Sequence, residues 1–115
     1  MSDVVVTVPK WFWPEWLIEG DAAGESATGE EWHYTTWGAL PRIEPGERVY
    51  IVAHGKLRGY APLVRLVSTG RARSFVRGGG AVAVTVDEPI PGFRGWRYRW
   101  WGREEERPFP EWRTP

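Results

Sequence analysis

At 115 residues, 42% of them hydrophobic and 26% charged, the chain has the size and composition of one globular domain with a single core and a formal net charge of zero. The absence of cysteine excludes disulfides, thiolate nucleophiles and Cys-ligated zinc. No apolar run is long enough for a membrane span and MSDVVVTV lacks the basic start of a signal peptide, so the expectation is a soluble, cytoplasmic protein.

Taken in chain order, Val4 to Val8 is a short first strand stopped by Pro9. Pro14 suits the first position of a helix, where its missing N–H would have no partner, and the helix is predicted through Glu19 with Gly20 as its cap. Asp21 to Glu31 is an acidic, Gly-rich loop, and Trp32 to Trp37 a second strand with a Trp on each face. Arg48 to Ala53 is β-branched and aromatic. His54-Gly55 then reverses the chain, since a two-residue turn needs positive φ, which Gly takes freely and His tolerates. Leu57 to Val67 is the return strand, and Gly59 and Pro62 within it mark a bulge, a bend or an edge.

Beyond the hairpin, Ser68 to Gly80 is a mobile basic loop or a partly formed strand, and Ala81 to Val86 a buried strand. Phe93 to Trp101 is the last strand, alternating Trp96, Tyr98 and Trp100 with Arg97, Arg99 and Trp101. Residues 103–115 form an extended tail pinned by Phe109 and Trp112. About six short strands with one or two short helices make an α+β, mainly β domain over residues 1–115, a small bent mixed β-barrel.

The hairpin EPGERVYIVA, turn, KLRGYA (Glu44 to Ala61) resembles the central hairpin of PUA-like domains, with the ASCH and EVE branches the nearest. That resemblance implies a small bent barrel and binding of RNA or of a modified base. Some ASCH relatives are amidohydrolases whose set resembles a Lys and a Thr after the first helix. Here the corresponding stretch, EGDAAGESATGEE, offers Thr28 without a Lys, a departure from that activity. A ribonuclease of ASCH type asks less of the motif.

Charge is unevenly spread: residues 1–45 carry −6, residues 46–103 carry +8 and residues 104–115 carry −2, and no acid falls between Arg48 and Val86. One positive face on a neutral protein is the expectation. Nine Trp exceed what a domain of this size readily buries, so some should line a cleft and stack on bases. The candidate nucleic-acid-binding set is Lys10, Trp11, Trp13, Trp37, Lys56, Arg58, Arg71, Arg73, Arg77 and Arg97, charge for phosphates beside π-faces for bases. His54 and Lys56 are weak candidates for acid–base catalysis of RNA cleavage. No metal motif or cofactor fingerprint is present, since His33 near Glu30 and Glu31 does not make a ligand set and Gly78-Gly79-Gly80 lacks the Lys of a phosphate loop. A protein-interaction module using an exposed Trp patch is the reading from another class.

Overall fold

A computed structural model of the protein describes residues 2–15, 31–78 and 82–114. The strands among them are β1 (Val4–Thr7), β2 (Glu31–Trp37), β3 (Arg48–Ala53), β4 (Lys56–Thr69), β5 (Ala72–Gly78), β6 (Val84–Thr85), β7 (Trp96–Tyr98) and β8 (Arg107–Pro108). Helix is confined to residues 13–15 and a 3-10 turn at Arg103–Glu105 among the described residues. The fold is mainly β: one curled six-stranded sheet, ordered β2-β5-β4-β3-β1-β7 like half a barrel, with a β6–β8 ribbon packed against β4.

β1 lies between β3, to which it is parallel, and β7, to which it is antiparallel. A strand covered on both faces reads as an unbroken apolar run rather than an alternating one, which accounts for Val4-Val5-Val6. Val4, Val6 and Val8 point into one cluster with Val49, Ile51, Trp13, Phe75 and Trp112. Val5 points the other way, to Tyr50, Val52, Leu57, Ile90 and Trp101. Asp3, just before β1, is buried; it accepts hydrogen bonds from the Arg48 backbone N–H (2.9 Å) and from the guanidiniums of Arg99 and Arg103 (3.0 Å each). Burial would raise its pKa, but these three donors outweigh it and hold the carboxyl below its ordinary value.

The central hairpin forms as the residues require. His54 and Gly55 take φ of +50° and +74°, and β3 pairs with β4 through a register shift opposite Ile51 and Val52. The extra residue at that shift is Arg58, one position before Gly59. A bulge re-aims a side chain, and here it turns Arg58 into the first core cluster, fully buried, beside Trp13 and Phe109 (5.6 Å to each ring). Its Nε donates to the Ala53 carbonyl (2.8 Å), and its Nη1 donates to the carbonyls of Trp112 (3.1 Å) and Thr114. The tail is thus pinned by Trp112 and Phe109, with Arg58 as the clamp; β8 also pairs with β6.

Several elements differ from expectation. Ser68 to Gly80 contains a regular strand: after a turn at Gly70, β5 pairs along its length with β2 and, through a second register shift near Val64, with β4. Ala81 to Val86 is not one buried strand. Val82 makes only a bridge to Tyr60 and is exposed, and β6 is two residues long. The last strand is shortened to Trp96–Tyr98, since the Pro- and Gly-bounded residues before it form a loop. The helix expected through Glu19 and its cap at Gly20 lie largely outside the described residues.

Candidate functional site

The parallel pair β1/β3 runs toward one end of the sheet, where two clefts flank the loop of residues 87–95. The first, of about 630 Å³, is lined by Thr7 and Pro9 from the end of β1, Thr36 from β2, and Gly92, Phe93, Arg94 and Gly95. Its floor is closely packed. A Cβ on Gly92 would stand 3.2 Å from the Thr7 methyl, so a larger residue there would crowd Thr7. The Phe93 N–H reaches the Thr7 hydroxyl at 3.4 Å, holding the loop against β1. Arg97 lies over the Phe93 ring at 4.4 Å and Trp100 stands edge-on to it at 6.4 Å, so an aromatic ring and two guanidiniums share this wall.

The second cleft, of about 230 Å³, is lined by His54, Gly55 and Lys56 at the hairpin turn, by Thr85 to Pro89, and by Arg107 and Phe109 of the tail. Asp87 is paired with Arg107 (2.8 Å), and Glu88 accepts from the Trp100 indole (3.1 Å). Partial burial, then the nearby charges of Arg58 and Lys10, lower the His54 pKa from its ordinary value, so the imidazole is neutral at pH 7.

These placements divide the residues expected to bind nucleic acid. Lys10 and Trp11 follow directly on Pro9, and Trp11 is 78% exposed. Arg73 is the cross-strand partner of Thr36, and Arg97 backs Phe93. These four therefore belong to, or border, the segments forming the first cleft. Trp13 does not: it is 1% exposed and packs edge-on against Trp112 at 6.1 Å, so it is core rather than a stacking platform. Arg58 is likewise withdrawn from any surface by the bulge.

One positive face carrying Arg58, Arg71 and Arg73 does not form. Arg48 is neutralised by Glu106 (3.2 Å), Arg73 is tied to Ser68 and to the Gly70 carbonyl of its own turn, and Lys56 and Arg71 stand at opposite ends of the β4–β5 hairpin. The side chains of Trp37 and Arg77 lie outside the described residues, as do Trp16, Thr28 and the acidic loop. His54 and Lys56 do share a cleft, the second one. Thr7, Thr36 and Phe93 were not singled out as site residues. They come from three distant segments, and the only local signal is Pro91-Gly92-Phe93-Arg94-Gly95, an aromatic and a cation held between turn residues.

No group of three or more His, Asp or Glu among the described residues could hold a metal ion, and no helix among them is long and apolar enough to cross a membrane. Neither a family model, nor a curated protein, nor a solved structure matches the chain.

Proposed function

We propose that the protein is a PUA-like domain that binds single-stranded RNA or a modified nucleotide in the first cleft. The observation that carries this reading is the composition of that cleft: an aromatic residue, Phe93, a cation, Arg94, and two hydroxyl-bearing residues, Thr7 and Thr36, line one opening of about 630 Å³. An unstacked base needs a π-face, a ribose or base edge needs hydroxyl partners, and a phosphate needs a fixed cation. Exposed Trp11, two residues after Pro9 of the lining, is a further ring open to solvent. The aromatic element of the site is thus centred on Phe93, with Trp11 in support, and the arginines at its edge are Arg94 and Arg97.

The test is a titration of the folded protein with a nucleoside and a short oligoribonucleotide, at low and high salt. Phe93→Ala is expected to weaken both ligands by about 5- to 150-fold, the equivalent of losing about 1–3 kcal/mol of stacking. Arg94→Ala should weaken only the oligonucleotide and reduce its salt slope by about 0.7, one single-strand phosphate contact. Wild-type affinity in both variants would overturn the reading. A cleaving enzyme is the alternative, favoured by His54 and Lys56 lying in one cleft beside Asp87; it predicts strand scission that disappears in His54→Ala and Lys56→Ala.

A further inference from the structure

A chain with no cysteine and a single methionine has little sulfur to absorb an oxidant, so its nine Trp and four Tyr are its most readily oxidised side chains. An oxidised ring must also release a proton. Trp13 and Trp112 meet edge-on at 6.1 Å in the first core cluster, but the Trp13 indole N–H is buried without an acceptor, so a hole there has no proton outlet.

The rings around Tyr50 are arranged differently. Trp100 is 43% exposed and its ring lies 5.0 Å from that of Trp101, which is buried and lies 5.2 Å from the fully buried Tyr50. The three make one continuous line of edge contacts from solvent into the second core cluster. Both buried members give their side-chain proton to one group: the Glu106 carboxylate, itself nearly buried, accepts from the Tyr50 hydroxyl at 2.5 Å and from the Trp101 indole N–H at 2.9 Å. Arg48 donates to that carboxylate at 3.2 Å and to the Tyr50 oxygen at 3.0 Å. An O–H···O⁻ contact this short is charge-assisted and leaves the proton little distance to travel. Burial, then the hydrogen bond to Glu106, raises the Tyr50 pKa, so the phenol keeps its proton until an electron leaves.

We propose that Trp100, Trp101 and Tyr50 form a relay for oxidising equivalents, carrying a hole from a diffusible one-electron oxidant at the surface to Tyr50, with Glu106 as proton acceptor. The oxidant takes one electron from Trp100; an electron from Trp101 refills Trp100, and one from Tyr50 refills Trp101. A phenol gives up an electron readily only when its proton leaves too, because the phenol radical cation is a far stronger acid than the phenol. That proton crosses to Glu106 Oε2. The oxidant ends one electron richer, Tyr50 is a neutral phenoxyl radical still hydrogen-bonded by Arg48, and Glu106 is a neutral carboxylic acid. Indole radicals oxidise phenols that can deprotonate, which sets the direction from Trp to Tyr. This relay is independent of what the first cleft binds.

The experiment is pulse radiolysis of the full chain with the azide radical, a one-electron oxidant that attacks indole rings. Wild-type protein should show the tryptophanyl absorption decaying as the tyrosyl band rises, in a first-order step whose rate does not depend on protein concentration. Tyr50→Phe should abolish the rise, while Tyr98→Phe, at the tyrosine 4.7 Å from Trp96, should keep it. Glu106→Gln removes the base and should slow the step about 100-fold. Trp100→Phe alters a half-exposed side chain and spares the core, and it should remove most of the tyrosyl yield. A tyrosyl radical that forms undiminished in Tyr50→Phe or Trp100→Phe, vanishes in Tyr98→Phe, keeps its rate in Glu106→Gln, or forms at a rate proportional to protein concentration overturns the proposal.

Discussion

The two halves of β4 carry similar residues and meet opposite fates. From Leu57 to Ala61 the strand lies between β3 and the Val82 bridge, and only Tyr60 is partly exposed. From Pro62 to Thr69 it forms one arm of a projecting hairpin with β5, and only Leu63 is buried. Arg58 in the first half is a core residue. Arg73, in the strand paired with the second half, closes its own turn by donating to Ser68 (2.9 Å) and Gly70 (2.8 Å). The difference teaches that an arginine's role here follows from strand register more than from residue type: one extra residue at a bulge converts a surface cation into an internal clamp.

The comparison breaks most visibly at Arg58. Arg58→Ala leaves the carbonyls of Ala53, Trp112 and Thr114 without their donor and opens a cavity beside Trp13, so a loss of about 3–5 kcal/mol is expected in denaturant unfolding. Arg58→Met, which refills the space without a charge, should lose less. An alanine variant as stable as wild type would mean the clamp contributes nothing.

Next in size is Asp3→Asn, expected to lose about 1–3 kcal/mol; the carboxylate is buried, but Arg99 and Arg103 are partly open to solvent, which discounts each pair. Because the folded-state pKa of Asp3 is depressed, its contribution is fully present above the unfolded value near 3.8 and is lost as pH falls through the lower folded value. The asparagine variant should therefore lack that part of the acid-side slope in a pH series of melts.

A smaller effect is expected at the hairpin turn. Folding disfavours the charged imidazole of His54, so the unfolded chain binds more protons below about pH 6.5, and wild-type stability should decline as pH drops past that value. His54→Asn keeps a residue that tolerates the positive φ and removes the titration, so its stability should be flatter from pH 7 to 5. Smallest is Arg73→Ala, with about 0.5 kcal/mol expected from the loss of exposed turn contacts. A cost at Arg73 equal to that at Arg58 would erase the distinction between the halves.

How much of this was legible in the residues follows the range of the interactions. The His54-Gly55 turn, β3 and the anchoring by Trp112 are local or compositional signals, and they are found where expected. Gly59 and Pro62 mark a bulge, a bend or an edge; that a bulge forms before Gly59, and which residue it turns inward, depends on the register with Ile51, which no local pattern carries. β5 was obscured because the glycines and arginines of residues 70–80 resemble a loop, whereas pairing on both edges by β2 and β4 overrides weak propensity. The first cleft is assembled from residues 7, 36 and 92–95, and its geometry exists only once β1 and β2 are held by other strands.

The placement of β1 also bears on how the chain is made. Val5 is flanked by Tyr50 on one side and Arg97 on the other, so β1 leaves the ribosome well before β7 and lacks one neighbour until β7 has been synthesised. During that interval the Val-rich segment is a strand of high β propensity with one open edge, while β3, β4 and β5 can zip locally as consecutive hairpins. Vectorial synthesis therefore lets the β3–β4–β5 hairpins assemble first, and the β1–β7 pair closes last in the sheet. That is also when β7 covers the segment at greatest risk of pairing with another nascent chain.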